Sequence, residues 1–282
     1  MNSENLGQQR LKELAPPARS GTFSMLDSGP GTPRYRLEVL LPQGERPSTG
    51  WPALLLLDGE GLVGTFAEAV QRLSRRSDAT GVVPSAIIAL TAESVDGVDH
   101  RNRDFATARP DMPDEEADGE TFRQFVEGLV PVLAARHDLD PCRFALLGHS
   151  LAGYFALHMF GSPSSPFKQF AAISPSIWWD RERLNERIAR CNASGRRAFL
   201  AIGEWEEAVP PWQVGHPLAQ DALARRRSRR MIGNVQDMAD ALAAMMGEGS
   251  VVMRLFDDED HASILTRCVA PVLRFLSEGW RC

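Results

Sequence analysis

The 282-residue sequence predicts an α/β fold: a mostly parallel sheet of about eight strands with helices on both faces. Three observations carry the prediction. Short apolar runs recur along the chain and alternate with longer segments of helical pattern. The runs at 53–57 (Ala-Leu-Leu-Leu-Leu) and 85–90 (Ser-Ala-Ile-Ile-Ala-Leu) are apolar without alternation, as strands covered on both faces must be. Residues 144–160 place a strand, a small-residue corner and a helix in direct succession. There is no internal repeat and no linker, so residues 1–282 read as one domain.

In chain order, residues 1–20 are polar, contain Pro16-Pro17, and read as an arm. Residues 22–26 and 35–41 read as two strands around Gly29-Pro30-Gly31, making an antiparallel edge. The buried strand 53–57 ends in Asp58-Gly59-Glu60-Gly61, and a helix is expected over 65–73. After the strand 85–90, residues 91–118 are charged and broken, and are expected as a long surface loop at the active site. A helix over 121–135 leads to the strand 144–147 and then to a helix over 154–160. Strands follow at 169–174, 197–203 and 251–256. Helices are expected at 180–190, 228–246 and 262–276, and a second active-site excursion at 204–228. The Arg-rich run 224–230 reads as the solvated start of a helix, with contact to an anionic substrate or partner as the alternative.

The composition limits the function. A net charge of −6 argues against a nucleic-acid binder, which needs a basic face. No apolar run approaches the length of a membrane span, and residues 1–10 lack a signal-peptide layout. Four scattered cysteines show no metal-ligand spacing, and no cofactor motif is present. Free thiols in the cytoplasm are the simplest reading; a processed N-terminus would shift it to the periplasm. The expected partner is a small-molecule ester.

The chemistry centres on Gly148-His149-Ser150. A corner between strand and helix lifts a serine oxygen clear of the sheet and aims the following N–H at a developing oxyanion. The pattern departs from G-x-S-x-G in one place, since Ala152 stands where the last glycine belongs and Gly153 follows. A serine needs a base. Of six histidines, His149 is expected to face away from its own serine, His158 to pack in the core, and His137 to end a helix. His100 and His216 lie in long loops and could line a pocket. His261 follows the last strand, where the Ser…Asp/Glu…His order puts the base. The acid belongs after the strand 197–203, where Glu204, Glu206 and Glu207 all lie. Glu206 is best spaced; Glu204, Glu207, or a serine–histidine dyad without a tight acid are the alternatives. Leu151 is expected to supply one oxyanion-hole N–H, and Gly59 or Glu60 the second.

These residues, with Leu56-Leu57-Asp58-Gly59, Arg101-Asn102-Arg103-Asp104-Phe105, Ile173-Ser174-Pro175-Ser176-Ile177-Trp178-Trp179-Asp180, Gly203-Glu204-Trp205-Glu206 and Asp260-His261-Ala262-Ser263, resemble a known family. The chain is similar to the esterase D-like α/β-hydrolases. Within them it resembles the branch of ferric-siderophore esterases that open enterobactin and salmochelin trilactones. The resemblance runs from Tyr35 to about Phe275. It implies an α/β-hydrolase fold and a carboxylic ester hydrolase with Ser150 as nucleophile and His261 as base. It also implies that Arg101 or Arg103 lies near the substrate.

A ferric catecholate trilactone is large, aromatic and anionic. Arg101, Arg103 and Arg109, with Trp178, Trp179, Trp205 and Trp212, would suit it through charge and stacking. The competing expectation is that the arginines pair with Asp99, Asp104 and Asp111 while the tryptophans fill the core. A general carboxylesterase, an acyltransferase and a non-catalytic binding protein are the alternative functions on the same scaffold.

Overall fold

The computed structural model describes residues 22–27, 34–93, 100–108 and 117–281. The arm expected at 1–20, the turn at Gly29-Pro30-Gly31, and Asp99, Arg109 and Asp111 lie outside the described residues. Eight strands form one sheet: β1 (Thr22–Asp27), β2 (Arg34–Leu40), β3 (Trp51–Leu57), β4 (Ala86–Ala92), β5 (Leu139–His149), β6 (Gln169–Ile173), β7 (Arg197–Gly203) and β8 (Val251–Phe256). Their order is β1-β2-β4-β3-β5-β6-β7-β8. β1 pairs with β2, and β2 with β4, antiparallel; β4 to β8 are joined by parallel pairings.

The unalternating apolar runs have the cause anticipated for them. On β3, Ala53, Leu55 and Leu57 face one core while Leu54 and Leu56 face the other, and every residue of the strand is buried. The first core is closed by Phe122 and Val126 of the helix Gly119–His137, Phe155 of Leu151–Phe160, Leu184 of Arg181–Ala189 and Val235 of Met231–Met246. The second is closed by Phe66 and Val70 of the helix Val63–Leu73 and by Val272 and Leu273 of Val269–Arg281. Each fully buried leucine contributes roughly 1.5–3 kcal/mol, so the sheet centre is the most stabilised part of the chain.

Three expectations change. The segment 91–118 is not surface loop throughout: Arg101–Phe105 is a short helix, and Asp104, Phe105, Ala106 and Thr107 are buried. The Arg-rich run is the end of a helix, Ala219–Arg229, rather than its start. Cations there meet the negative end of the helix dipole, which favours them. The helix expected over 228–246 begins at Met231, because Arg230 adopts a left-handed φ of 47° that separates the two helices. No helix among the described residues is long and apolar enough to cross a membrane.

Parallel strands place their carboxyl ends on one edge. After β3 the chain crosses to β4 on one side and then returns to β5 on the other. The crevice opened at such a reversal is where open α/β sheets bind ligands. Ser150 follows β5 at this point, and the segments after β6, β7 and β8 border the same edge.

Candidate active site

The corner at Ser150 is built by backbone geometry. Ser150 has φ 59° and ψ −120°, a left-handed conformation that a non-glycine residue adopts only under constraint. The constraint is a pair of hydrogen bonds to neighbouring segments: the Ser150 N–H donates to Ile173 O at 3.0 Å, and the Ser176 N–H donates to Ser150 O at 2.9 Å. Gly148 must be glycine, since a Cβ there would lie 2.0 Å from the carbonyl oxygen of Ala152. The methyl of Ala152 points instead into the core and is fully buried. The departure from the usual glycine is therefore absorbed by packing.

Ser150 caps the helix Leu151–Phe160, whose residues from Ala152 onward are all buried. The first N–H groups of a helix have no partner within it and carry the positive end of its dipole. The Leu151 N–H is the first of these. Of the two expected second donors, the Glu60 N–H already donates to Thr91 Oγ1 at 3.1 Å. Gly59 is buried at the start of the single turn Gly59–Gly61. Neither residue lines the cavity described below, whereas Leu151 does.

His261 Nε2 lies 3.0 Å from Ser150 Oγ, and His261 Nδ1 lies 3.0 Å from both carboxylate oxygens of Glu206. A carboxylate only accepts, so Nδ1 carries the hydrogen and Nε2 is left to accept from the serine hydroxyl. Glu206 is 4% exposed, while the His261 side chain is 45% exposed and reachable from the cavity. The other two glutamates point elsewhere. Glu204 Oε2 accepts from the Asp258 N–H at 2.9 Å, and Glu207 Oε1 accepts from the Ile232 N–H at 2.6 Å, capping the helix Met231–Met246.

Gly203 at the end of β7 lets the His261 loop approach, because a Cβ there would lie 2.4 Å from Glu259 O. The Trp205 N–H then donates to that same oxygen at 3.0 Å. Asp260 Oδ1 accepts from the N–H groups of Ala262 and Ser263, each at 2.9 Å, closing the turn.

His149 reaches His261 rather than its own serine. Its Nε2 is 2.7 Å from His261 O, and the two imidazole rings are 4.7 Å apart. Burial, and after it the neighbouring His261, hold its pKa down at about 4. His158 is buried as expected, and His137 ends the helix Gly119–His137. His100 and His216 do not line the cavity.

A cavity of about 330 Å³ opens over Ser150, His261 and Glu206. Arg101, Trp178 and Trp179 line it. Arg101 Nε is 2.6 Å from an Asp58 carboxylate oxygen. Trp179 is largely buried and its Nε1–H donates to Thr107 O at 3.3 Å, so it works as wall more than as contact surface. Arg103 is not in the lining. Its Nε donates to the buried carboxylate of Asp104 at 2.8 Å, and it meets Tyr35 and His100 besides. Burial pushes the Asp104 carboxyl up, and Arg103 pulls it back.

Three further residues line the cavity: Ser176, and from the Arg-rich run Arg226 and Arg229, for which contact with an anionic substrate is the alternative reading. Ser176 Oγ is 3.4 Å from Ser150 Oγ. Arg226 and Arg229 enter the cavity from the helix Ala219–Arg229. Arg226 is held by Ala208 O at 2.8 Å and Gln213 Oε1 at 3.0 Å, and the Arg229 guanidinium lies 4.4 Å from the ring centre of Trp178. The spacing of 226 and 229 puts both on one helix face, a signal present in the sequence. The helix itself is not expected there from the sequence, since 204–228 reads as an excursion. Trp205 and Trp212 contact each other edge to face, and Trp212 is 60% exposed. Among the described residues no cluster of three metal-ligating side chains is found.

Comparison with known proteins places the chain in a family and a fold. The ferri-bacillibactin esterase BesA of Bacillus subtilis is 28% identical over 260 residues, covering 86% of this chain and 84% of the relative. The siderophore triacetylfusarinine C esterase of Aspergillus fumigatus is 28% identical over 275 residues, covering 90% and 92%. In three dimensions, the siderophore hydrolase EstB of Aspergillus nidulans superposes with a TM-score of 0.78 at 22% identity, over 95% of this chain and 99% of that one. That likeness bears on the fold, which is the α/β-hydrolase fold. The family model for putative esterases matches residues 32–239, from the second strand into the helix Met231–Met246, and the chain belongs to that family.

Proposed function

We propose that this carboxylic ester hydrolase opens the ester bonds of a siderophore, a catecholate trilactone of the enterobactin type, through an acyl-enzyme on Ser150. The observation that carries the reading is the unbroken hydrogen-bonded chain Ser150–His261–Glu206 at the cavity floor. Ser150 Oγ attacks the ester carbonyl as His261 Nε2 takes its proton. Glu206 holds the imidazole in the required tautomer and stabilises the imidazolium. The Leu151 N–H, at the start of a helix buried from Ala152 onward, meets the oxyanion, and Gly59 is the candidate for the second donor. His261 then returns the proton to the leaving alcohol. A water, deprotonated in turn by His261, hydrolyses the acyl-enzyme and restores Ser150.

Two things support the substrate class. The two curated relatives are named as esterases of siderophores. The cavity also presents Arg101, Arg226 and Arg229 beside Trp178, which suits an anionic aromatic ester. A cytoplasmic location is part of the reading, supported by Cys142, Cys191 and Cys268 being free thiols.

The test is product analysis by mass spectrometry after incubation with ferric and iron-free enterobactin-type trilactones and with simple aryl esters. Linear products carrying one added water per opened ester are expected. Turnover of aryl esters with every siderophore left intact would remove the substrate reading. Labelling of a residue other than Ser150 by a fluorophosphonate would remove the nucleophile.

A further inference from the structure

His149 is the last residue of β5, and His261 lies in the loop after β8. Two strands, β6 and β7, separate β5 from β8 in the sheet. At about 4.8 Å per strand, the loop starts roughly 14 Å from the serine's strand and must lean back across the sheet edge to reach it. On its outer side the loop is tied to the end of β7, through Trp205 N–H to Glu259 O and Asp258 N–H to Glu204 Oε2. On the nucleophile's side, the tie to its backbone is His149 Nε2 to the carbonyl of His261 itself, at 2.7 Å.

We infer that His149 is a positioning residue for His261: its imidazole N–H clamps the carbonyl of His261 and fixes the Nε2–Ser150 geometry. This rests on the assignment of Ser150 and His261 as nucleophile and base. A carbonyl oxygen only accepts, so the hydrogen on His149 Nε2 is obligatory. The ring lies 4.7 Å from that of His261 at an angle of 44°. A charged imidazolium there would oppose the imidazolium that forms on His261 during turnover. Burial keeps the ring neutral over the working range of an esterase. The clamp therefore fixes His261 without charging the site. Its placement directly before the serine means that one strand end positions both reacting groups.

The experiment compares His149→Leu and His149→Gln with the wild type on an aryl ester. Leucine removes the donor; glutamine keeps an N–H donor of similar reach. A displacement near 1 Å can cost about a hundredfold, so His149→Leu should lower kcat by roughly ten- to a hundredfold. KM should stay within about twofold, since the substrate's own contacts remain. His149→Gln should recover most of the loss. The low-field proton resonance expected in the wild type from the His261–Glu206 hydrogen bond should broaden in the leucine variant and return in the glutamine variant. If leucine does not fold, His149→Phe, which fills the ring's space without a donor, takes its place.

Unchanged kcat in the donorless variant, or equal losses in it and His149→Gln, would overturn the clamp. His261→Ala and fluorophosphonate labelling of Ser150 are run beside them. A silent His261→Ala would remove the base assignment, and this inference with it. A crippling His261→Ala beside a silent donorless variant would overturn the clamp alone.

Discussion

Glu204, Glu206 and Glu207 follow β7 together, and each carboxylate has a separate partner: the Asp258 N–H, the His261 imidazole and the Ile232 N–H. Their substitutions should separate by kind. Glu206→Gln keeps the shape but favours the wrong imidazole tautomer, and should lower kcat by up to about 10⁴-fold. Glu207→Gln weakens a helix cap and should cost about 1 kcal/mol of stability with turnover nearly unchanged. Kinetics and urea unfolding on the same preparations check both. A silent Glu206→Gln would leave a serine–histidine dyad.

The arginines separate in the same way. Arg229 lines the cavity against Trp178, and a charge-assisted contact is worth roughly 1.5–3 kcal/mol. Arg229→Ala should therefore reduce kcat/KM on a catecholate trilactone by about ten- to a hundredfold and leave p-nitrophenyl acetate within about threefold. Arg103 pairs with the buried Asp104, so Arg103→Ala should cost about 3 kcal/mol of stability and affect both substrates alike.

At the scale of the element, the strand–turn–helix around Ser150 is tolerant at one small residue and intolerant at another. Gly148→Ala places a methyl 2.0 Å from a backbone oxygen within the turn, and no side chain can give way there. Loss of soluble protein, or a collapse of the thermal midpoint, is expected. Ala152→Gly removes a buried methyl and adds helix entropy, costing about 1–2 kcal/mol. It should keep kcat within about threefold, because the backbone of Ser150 is held by Ile173 O and the Ser176 N–H rather than by residue 152. Thermal melts and single-turnover rates on the two variants decide it.

For the whole molecule, His149 and His158 give a defined acid sensitivity. Both are pushed down to about 4, by burial first and then by His261 and Arg187 respectively. In the unfolded chain they titrate near 6.5. Between about pH 6.5 and 4 the unfolded state binds more protons than the folded one, so stability falls as the pH drops through this window. Each imidazole contributes at most on the order of 3 kcal/mol. The urea midpoint should decline from pH 7 to pH 4, and His158→Leu should flatten that decline, since His158 lies in the core away from the cavity. An equally steep decline in the variant would assign the effect to other groups.

The amino-acid sequence by itself determined the fold class, the eight strands and the corner at Ser150. The reason is physical: strand burial, turn chemistry and strand–turn–helix succession are written in contiguous residues. The amphipathic helices were equally legible, but the highly charged helices Arg101–Phe105 and Ala219–Arg229, read as loop, and ends such as Arg230 were not, because charged segments and a left-handed residue between two helices leave little apolar signal. Tertiary structure decided which of three neighbouring glutamates meets His261, since the direction of each side chain is set by the approach of the β8 loop over Gly203. It decided between Arg101 and Arg103, because a buried Asp104 captures the second. It also brought Arg226 and Arg229 over the cavity and His149 against His261. Those contacts join segments tens of residues apart, and no local pattern encodes them.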